Sequence, residues 1–181
     1  MTTENEMPAT SSQEHTLPAK RPRSVLAGPY GHPFHPILVT VPIGAWIASL
    51  VFDVVALTGD REATFAEGAF WLLVIGIAGA VLAALFGLMD FLTIPSGTRA
   101  HTTALAHLAL NTVALVVFAI DVLLRSSQGR DDVTGTQFVL TVLGLLIVSA
   151  SGWLGGKLSY HYGVRVADER TQSEGFRAAS R

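Results

Sequence analysis

The sequence contains no cysteine. Disulfides, thiolate zinc sites, iron–sulfur clusters and covalently attached c-type haem are therefore excluded, because each needs the sulfur atom. Charge is also scarce: 14% of the 181 residues are charged, against 50% that are hydrophobic. That balance is too apolar for an ordinary soluble domain. A formal net charge of −2 and a pI near 6.3 leave no basic surface for nucleic acid. The glycines lie within apolar runs and lack the Lys or acidic partner of a phosphate loop, and no nucleophile–base arrangement is visible. The chain is accordingly not read as an enzyme. No internal repeat with matching motifs points to an inverted-repeat transporter.

What is present is apolar length. Residues 1–28 are rich in Thr, Glu, Ser and Pro without apolar periodicity, and are expected to form a disordered cytoplasmic tail rather than a secretory signal. Residues 29–161 are expected to form one membrane domain with spans at about 37–57, 69–94, 101–124 and 137–158, each near the ~20 residues that cross a hydrocarbon core. Residues 162–181 make a polar cytoplasmic tail. Pro95-Ser96-Gly97-Thr98-Arg99 is a tight breaker between the second and third spans. The expected fold is all-α: an integral membrane four-helix up-and-down bundle whose outer surface meets the lipid bilayer. Lys20, Arg21, Arg23, Arg99, Lys157, Arg165, Arg170, Arg177 and Arg181 fall on one side of the spans, and Arg61, Arg125 and Arg130 on the other. By the excess of basic residues on the cytoplasmic side, both termini are expected in the cytoplasm.

Helices in lipid approach closely where side chains are small. Gly76, Gly79, Ala83, Gly87 and Asp90 share a face of the second span, and Gly144, Ser151, Gly152, Gly155 and Ser159 form a similar stripe on the fourth. These mark helix–helix seams. Trp46, Trp71, Trp153, Tyr160 and Tyr162 suit packing and interfacial belts.

Chemistry concentrates in histidine. Gly31-His32-Pro33-Phe34-His35-Pro36 leads into the first span, and its two prolines restrict the backbone that presents two imidazoles. The bland reading makes both interfacial anchors. On the third span His107, Asn111, Ala114, Phe118 and Asp121 line one inward stripe, while His101 sits at the helix mouth. His107 lies ~9 Å and Asp90 ~6 Å below the cytoplasmic ends of their helices at 1.5 Å per residue, so the two depths allow contact. His161 ends the last span between two tyrosines. Ionisable groups at such depth are functional candidates. They suit iron or metal ligation with a carboxylate fixing the tautomer, proton transfer, or a structural interhelical hydrogen bond. At the opposite end Asp53 and Asp121 read as shallow carboxylates within reach of water, with Arg125 one turn beyond Asp121 as its i, i+4 partner.

These motifs together carry a resemblance. Gly31 to Pro36, then Val41-Pro42-Ile43-Gly44 and Asp53, Leu85-Phe86-Gly87-Leu88-Met89-Asp90, the segment His101 to Asn111, and Tyr160 to Val166 resemble a bacterial integral membrane family catalogued as domain of unknown function 2231. The likeness runs from Gly31 to Val166 and implies a multi-pass protein of the bacterial plasma (inner) membrane. Some members resemble membrane modules joined to a Rieske-type iron–sulfur domain, which implies electron transfer. Without cysteine this chain would need a separate redox partner protein on the cytoplasmic side. The leading functional expectation is a haem b site held by His35 and His107, with His32, His101 or His161 as substitute ligands and Asp90 and Asn111 in support. A divalent metal on His32, His35 and His107 is the other use of the same side chains. Two further readings stay open: a proton-coupled channel or carrier using Asp90 and His107 with Asp53 or Asp121, which four helices would support only as a homo-oligomer, or a structural membrane subunit.

Overall fold

A computed structural model describes residues 19–20 and 33–176. The expected N-terminal tail, apart from residues 19–20, and the candidate ligand His32 lie outside the described residues. The helices in chain order are α1 (Phe34–Leu38), α2 (Thr40–Thr58), α3 (Glu62–Phe91), α4 (Arg99–Gln128), α5 (Gly135–Gly156) and the short α6 (Glu169–Glu174), with a π turn at Lys157–His161. No strand occurs among the described residues.

Four stretches are long and apolar enough to span a membrane: Phe34–Thr58, Glu62–Phe91, Arg99–Gln128 and Gly135–His161, of 25, 30, 30 and 27 residues. At 1.5 Å per residue each reaches ~37–45 Å, more than the ~30 Å of hydrocarbon. The α2–α3 and α4–α5 hairpins pack most extensively, and the α3–α4 and α2–α5 contacts close the bundle. Successive helices run antiparallel, as the sequence predicts. Ile47, Val51, Leu82, Leu85, Val116 and Leu146 are exposed around the outside, while Ser49, Asp53, Asp121, Arg125, Gln137 and Thr141 are buried within. This inside-out polarity belongs to a protein whose surroundings are lipid.

The helix boundaries follow local chemistry. The first helix begins three residues before the expected span at residue 37, at Phe34 behind Pro33, and Pro36 falls in the first turn where its missing N–H costs nothing. Helix α1 stops at Leu38 and α2 restarts at Thr40. Pro42 has no N–H to give to the Leu38 carbonyl, so the regular ladder is interrupted there. Gly97 turns the chain between α3 and α4 at φ +77°, a conformation glycine adopts without strain. Thr98 then caps α4 by accepting from the His101 N–H at 3.1 Å. Thr134 and Gln137 form a reciprocal capping box at the start of α5.

The small-residue seams receive rings. A Cβ on Gly76 would collide with the Trp46 indole, one on Gly144 would lie 2.5 Å from Phe118 Cζ, and one on Gly79 2.8 Å from Val41 Cγ1. Trp46 and Phe118 stack with centroids 4.1 Å apart at 18°, in the centre of the bundle beside Leu73 and Ala114. Gly152 departs from the expected stripe, because nothing lies within 4 Å of its Cβ position and it faces outward.

Candidate functional site

The starts of α1 and α4 and the ends of α3 and α5 meet at one end of the bundle, which carries the four described histidines. His35 and His107 face each other across it, their rings 6.4 Å apart between centroids and nearly perpendicular at 88°. His101 packs on Phe91 at 5.1 Å. His161 is exposed in the π turn against Tyr162. The expected group of histidines is thus a pair with two bystanders, because the helical turn separates His101 from the inward stripe and the π turn carries His161 outward.

Each ring of the pair is fixed through Nδ1. The His35 Nδ1–H donates to the Ala83 carbonyl at 2.9 Å, and the His107 Nδ1–H to the Ser151 carbonyl at 2.8 Å. A carbonyl oxygen cannot donate, so Nδ1 carries the proton in both rings and Nε2 is left for other use. No group among the described residues hydrogen-bonds Nε2 of His35. At His107, the Asn111 Nδ2–H group donates to Nε2 at 3.0 Å. The same Nδ2 also donates to the His107 carbonyl at 3.0 Å, which settles the amide's orientation and makes Nε2 the acceptor. The Ser151 hydroxyl lies 2.9 Å from Nδ1 and donates to the His107 carbonyl at 3.2 Å.

Two glycines make room for these rings. A Cβ on Gly87 would stand 2.9 Å from Cε1 and Nδ1 of His35, and a Cβ on Gly155 3.2 Å from Cε1 of His107. The seam glycines at this end are therefore ring beds. Sequence periodicity places them on the right faces without distinguishing a helix neighbour from an imidazole.

Asp90 takes a different partner from the one its depth suggests. Its Oδ1 pairs with Arg165 Nε at 2.8 Å, and His107 is held by Ser151 and Asn111 instead. Arg165 follows the π turn at φ 59°, a left-handed conformation costly for a side-chain-bearing residue. It is anchored by that ion pair and by its N–H on the Ala19 carbonyl at 2.9 Å. The partners that orient the histidines are backbone carbonyls, which sequence reading has no means to single out.

The opposite end holds a second polar centre, and it is not shallow. Asp53 and Asp121 are 0% exposed and Arg125 1%. Arg125 Nη1 and Nη2 grip Asp53 at 2.8 and 2.9 Å, and its Nε donates to Asp121 Oδ1 at 2.9 Å. Thr141 on α5 joins them, its hydroxyl 2.9 Å from Asp53 Oδ2 and from Asp121 Oδ2. The i, i+4 pairing of Asp121 with Arg125 is present as expected. The expectation that these carboxylates reach water is corrected, because Arg125 folds inward and draws Asp53 from α2 into the bundle. Thr141 carries no sequence signal beyond being a hydroxyl on an apolar span.

Among the described residues, no group of three or more His, Asp or Glu side chains is arranged to hold a metal ion. No curated protein and no solved structure matches the chain. Residues 31–168, from the histidine-proline entry through the π turn and past Arg165, match the family model described as "Predicted membrane protein (DUF2231)", and the chain belongs to that family.

Proposed function

We propose that the protein is a membrane electron-transfer module that binds one haem b between His35 and His107. The observation that carries this reading is the facing pair itself: two imidazoles on different helices, each pinned through Nδ1–H to a backbone carbonyl, with Nε2 as the remaining ligating atom. Pinning of that kind orients a ligand histidine and raises its basicity. His35 and His107 would hold the iron of such a group through Nε2. The two ring centroids stand 6.4 Å apart.

The size of the donor set favours haem over a bare ion. Structural and catalytic zinc sites use three or four protein ligands, and only two histidines are brought together here. His35 and His107 would hold haem iron, which would supply one-electron exchange. The protein's own part is to hold both rings, with Gly87 and Gly155 as the beds on which they pack. Asn111 competes for Nε2 of His107, so its amide must turn away when that lone pair ligates. Asn111→Ala should therefore tighten haem binding, read as a lower Kd in a haem titration, and unchanged or weaker binding would count against ligation by His107.

Both termini are assigned to the cytoplasm on the distribution of Lys and Arg. Arg125 is buried against two aspartates and does not count as a free topological charge. The haem would then sit toward the cytoplasmic face of a bacterial plasma membrane and exchange electrons with a separate protein there. Purification in mild detergent after haem-supplemented expression tests the reading. One haem per chain, with a Soret band that shifts on reduction, is expected. A protein that stays colourless and takes up no added haem overturns it.

A further inference from the structure

The buried centre at the Arg125 end is short of hydrogens. Thr141 Oγ1 has three acceptor oxygens around it: Asp53 Oδ2 and Asp121 Oδ2, both at 2.9 Å, and the Gln137 carbonyl at 3.2 Å. A threonine hydroxyl has one proton to give and can accept two. Whichever oxygen receives that proton, at least one 2.9 Å oxygen–oxygen contact to a carboxylate is left without a hydrogen if both aspartates are ionised. Arg125 cannot supply it. Its Nη2 reaches Thr141 at 3.2 Å and Asp121 Oδ2 only at 3.4 Å, and neither contact puts a hydrogen between Thr141 and a carboxylate.

Charge gives the same answer independently. From α2 the centre receives Asp53, from α4 Asp121 and Arg125, and from α5 the uncharged Thr141 and Gln137. The charged residues of α3 nearest this end, Glu62 and Glu67, are exposed at its start. Two carboxylates against one guanidinium would leave a net negative charge sealed inside a membrane bundle, where an uncompensated ion is expensive. One added proton removes both problems.

We propose that this centre is a proton-binding site holding one proton between Asp53 and Asp121, bridged by the Thr141 hydroxyl. Asp53 is gripped on both oxygens by the guanidinium fork and is the carboxylate. Asp121 has its Oδ1 on Arg125 Nε, leaving Oδ2 as the acid oxygen that donates to Thr141, while Thr141 donates to Asp53 Oδ2. A concerted shift moves the Asp121 proton to Thr141 Oγ1 as the Thr141 proton passes to Asp53 Oδ2. Asp53 becomes the neutral acid and Asp121 the carboxylate, with charge and atoms conserved. The site thus has two proton positions on two different helices.

Infrared spectroscopy of the protein in lipid vesicles reads this directly, because a protonated carboxylic acid has a carbonyl-stretch band separate from carboxylate absorption. At neutral pH the wild type should show a band equivalent to one acid per chain. It should shift in deuterated water and persist in Asp90→Asn, the other buried carboxylate among the described residues. It should vanish in Asp121→Asn and also in Asp53→Asn, since a single remaining aspartate ionises against Arg125. Absence of the band in the wild type overturns the proposal, as does its loss in Asp90→Asn alone or its survival in both Asp53→Asn and Asp121→Asn. The wild-type and Asp90→Asn spectra decide the matter even if the other variants do not fold.

Discussion

The two ends of the bundle use polar groups in opposite ways. At one end Asp53, Asp121, Arg125 and Thr141 are sealed from solvent and spend their hydrogen-bonding capacity on one another. At the other, His35 and His107 are half-buried and each fixed through Nδ1, with no partner on Nε2 of His35 among the described residues and Asn111 donating to that of His107. A group whose bonds are all internal holds helices together. A group oriented by half of its bonding capacity is prepared for a partner. On the proposed reading, the difference separates a centre closed on itself from one arranged to take a ligand, although both consist of ionisable side chains within membrane spans.

The largest test of that contrast is removal of Arg125. Arg125→Leu strips the buried aspartate pair of its guanidinium partner and leaves a carboxylate without a counter-charge, which should cost ~3–5 kcal/mol in unfolding measured in detergent. His35→Ala removes an interhelical hydrogen bond to a backbone carbonyl and should cost only ~1 kcal/mol. Equal losses from the two would erase the distinction between the ends. Next in size come the ring beds. Gly144→Ala forces a methyl against Phe118 and should destabilise by ~1–3 kcal/mol. Gly152→Ala, in the same helix but facing open space, should instead stabilise by ~0.5–1 kcal/mol because alanine is the better helix former. Matching thermal shifts for that pair would refute the role given to the seams. The smallest effect belongs to His161→Ala, whose exposed ring should change stability by less than ~0.5 kcal/mol.

Much of this arrangement is legible in the sequence for reasons that can be named. Long apolar runs fix the four spans, and Pro95 to Thr98 fixes the hairpin between the second and third. Helical periodicity puts His107, Asn111, Ala114, Phe118 and Asp121 on one inward stripe, where the structure has them. Periodicity gives the face of a residue but not the reach of its side chain. Asp90 therefore reads as a partner for His107, whereas Arg165, carried back to the bundle after the π turn, takes it. For the same reason Arg125 reads as an interfacial charge, although its guanidinium turns inward to Asp53, 72 residues away in sequence. Ser151 and Ala83 act through backbone carbonyls that every residue possesses, so no residue type could announce them.

The central claim is that the facing pair, rather than histidines at this end in general, forms the binding site. A haem titration comparing His35→Ala with His161→Ala, both checked for folding, tests it most directly. The pair predicts that His161→Ala binds one haem with the wild-type spectrum while His35→Ala loses the low-spin two-histidine spectrum. Equal spectra and affinities in the two variants, or no uptake by the wild type, would contradict it.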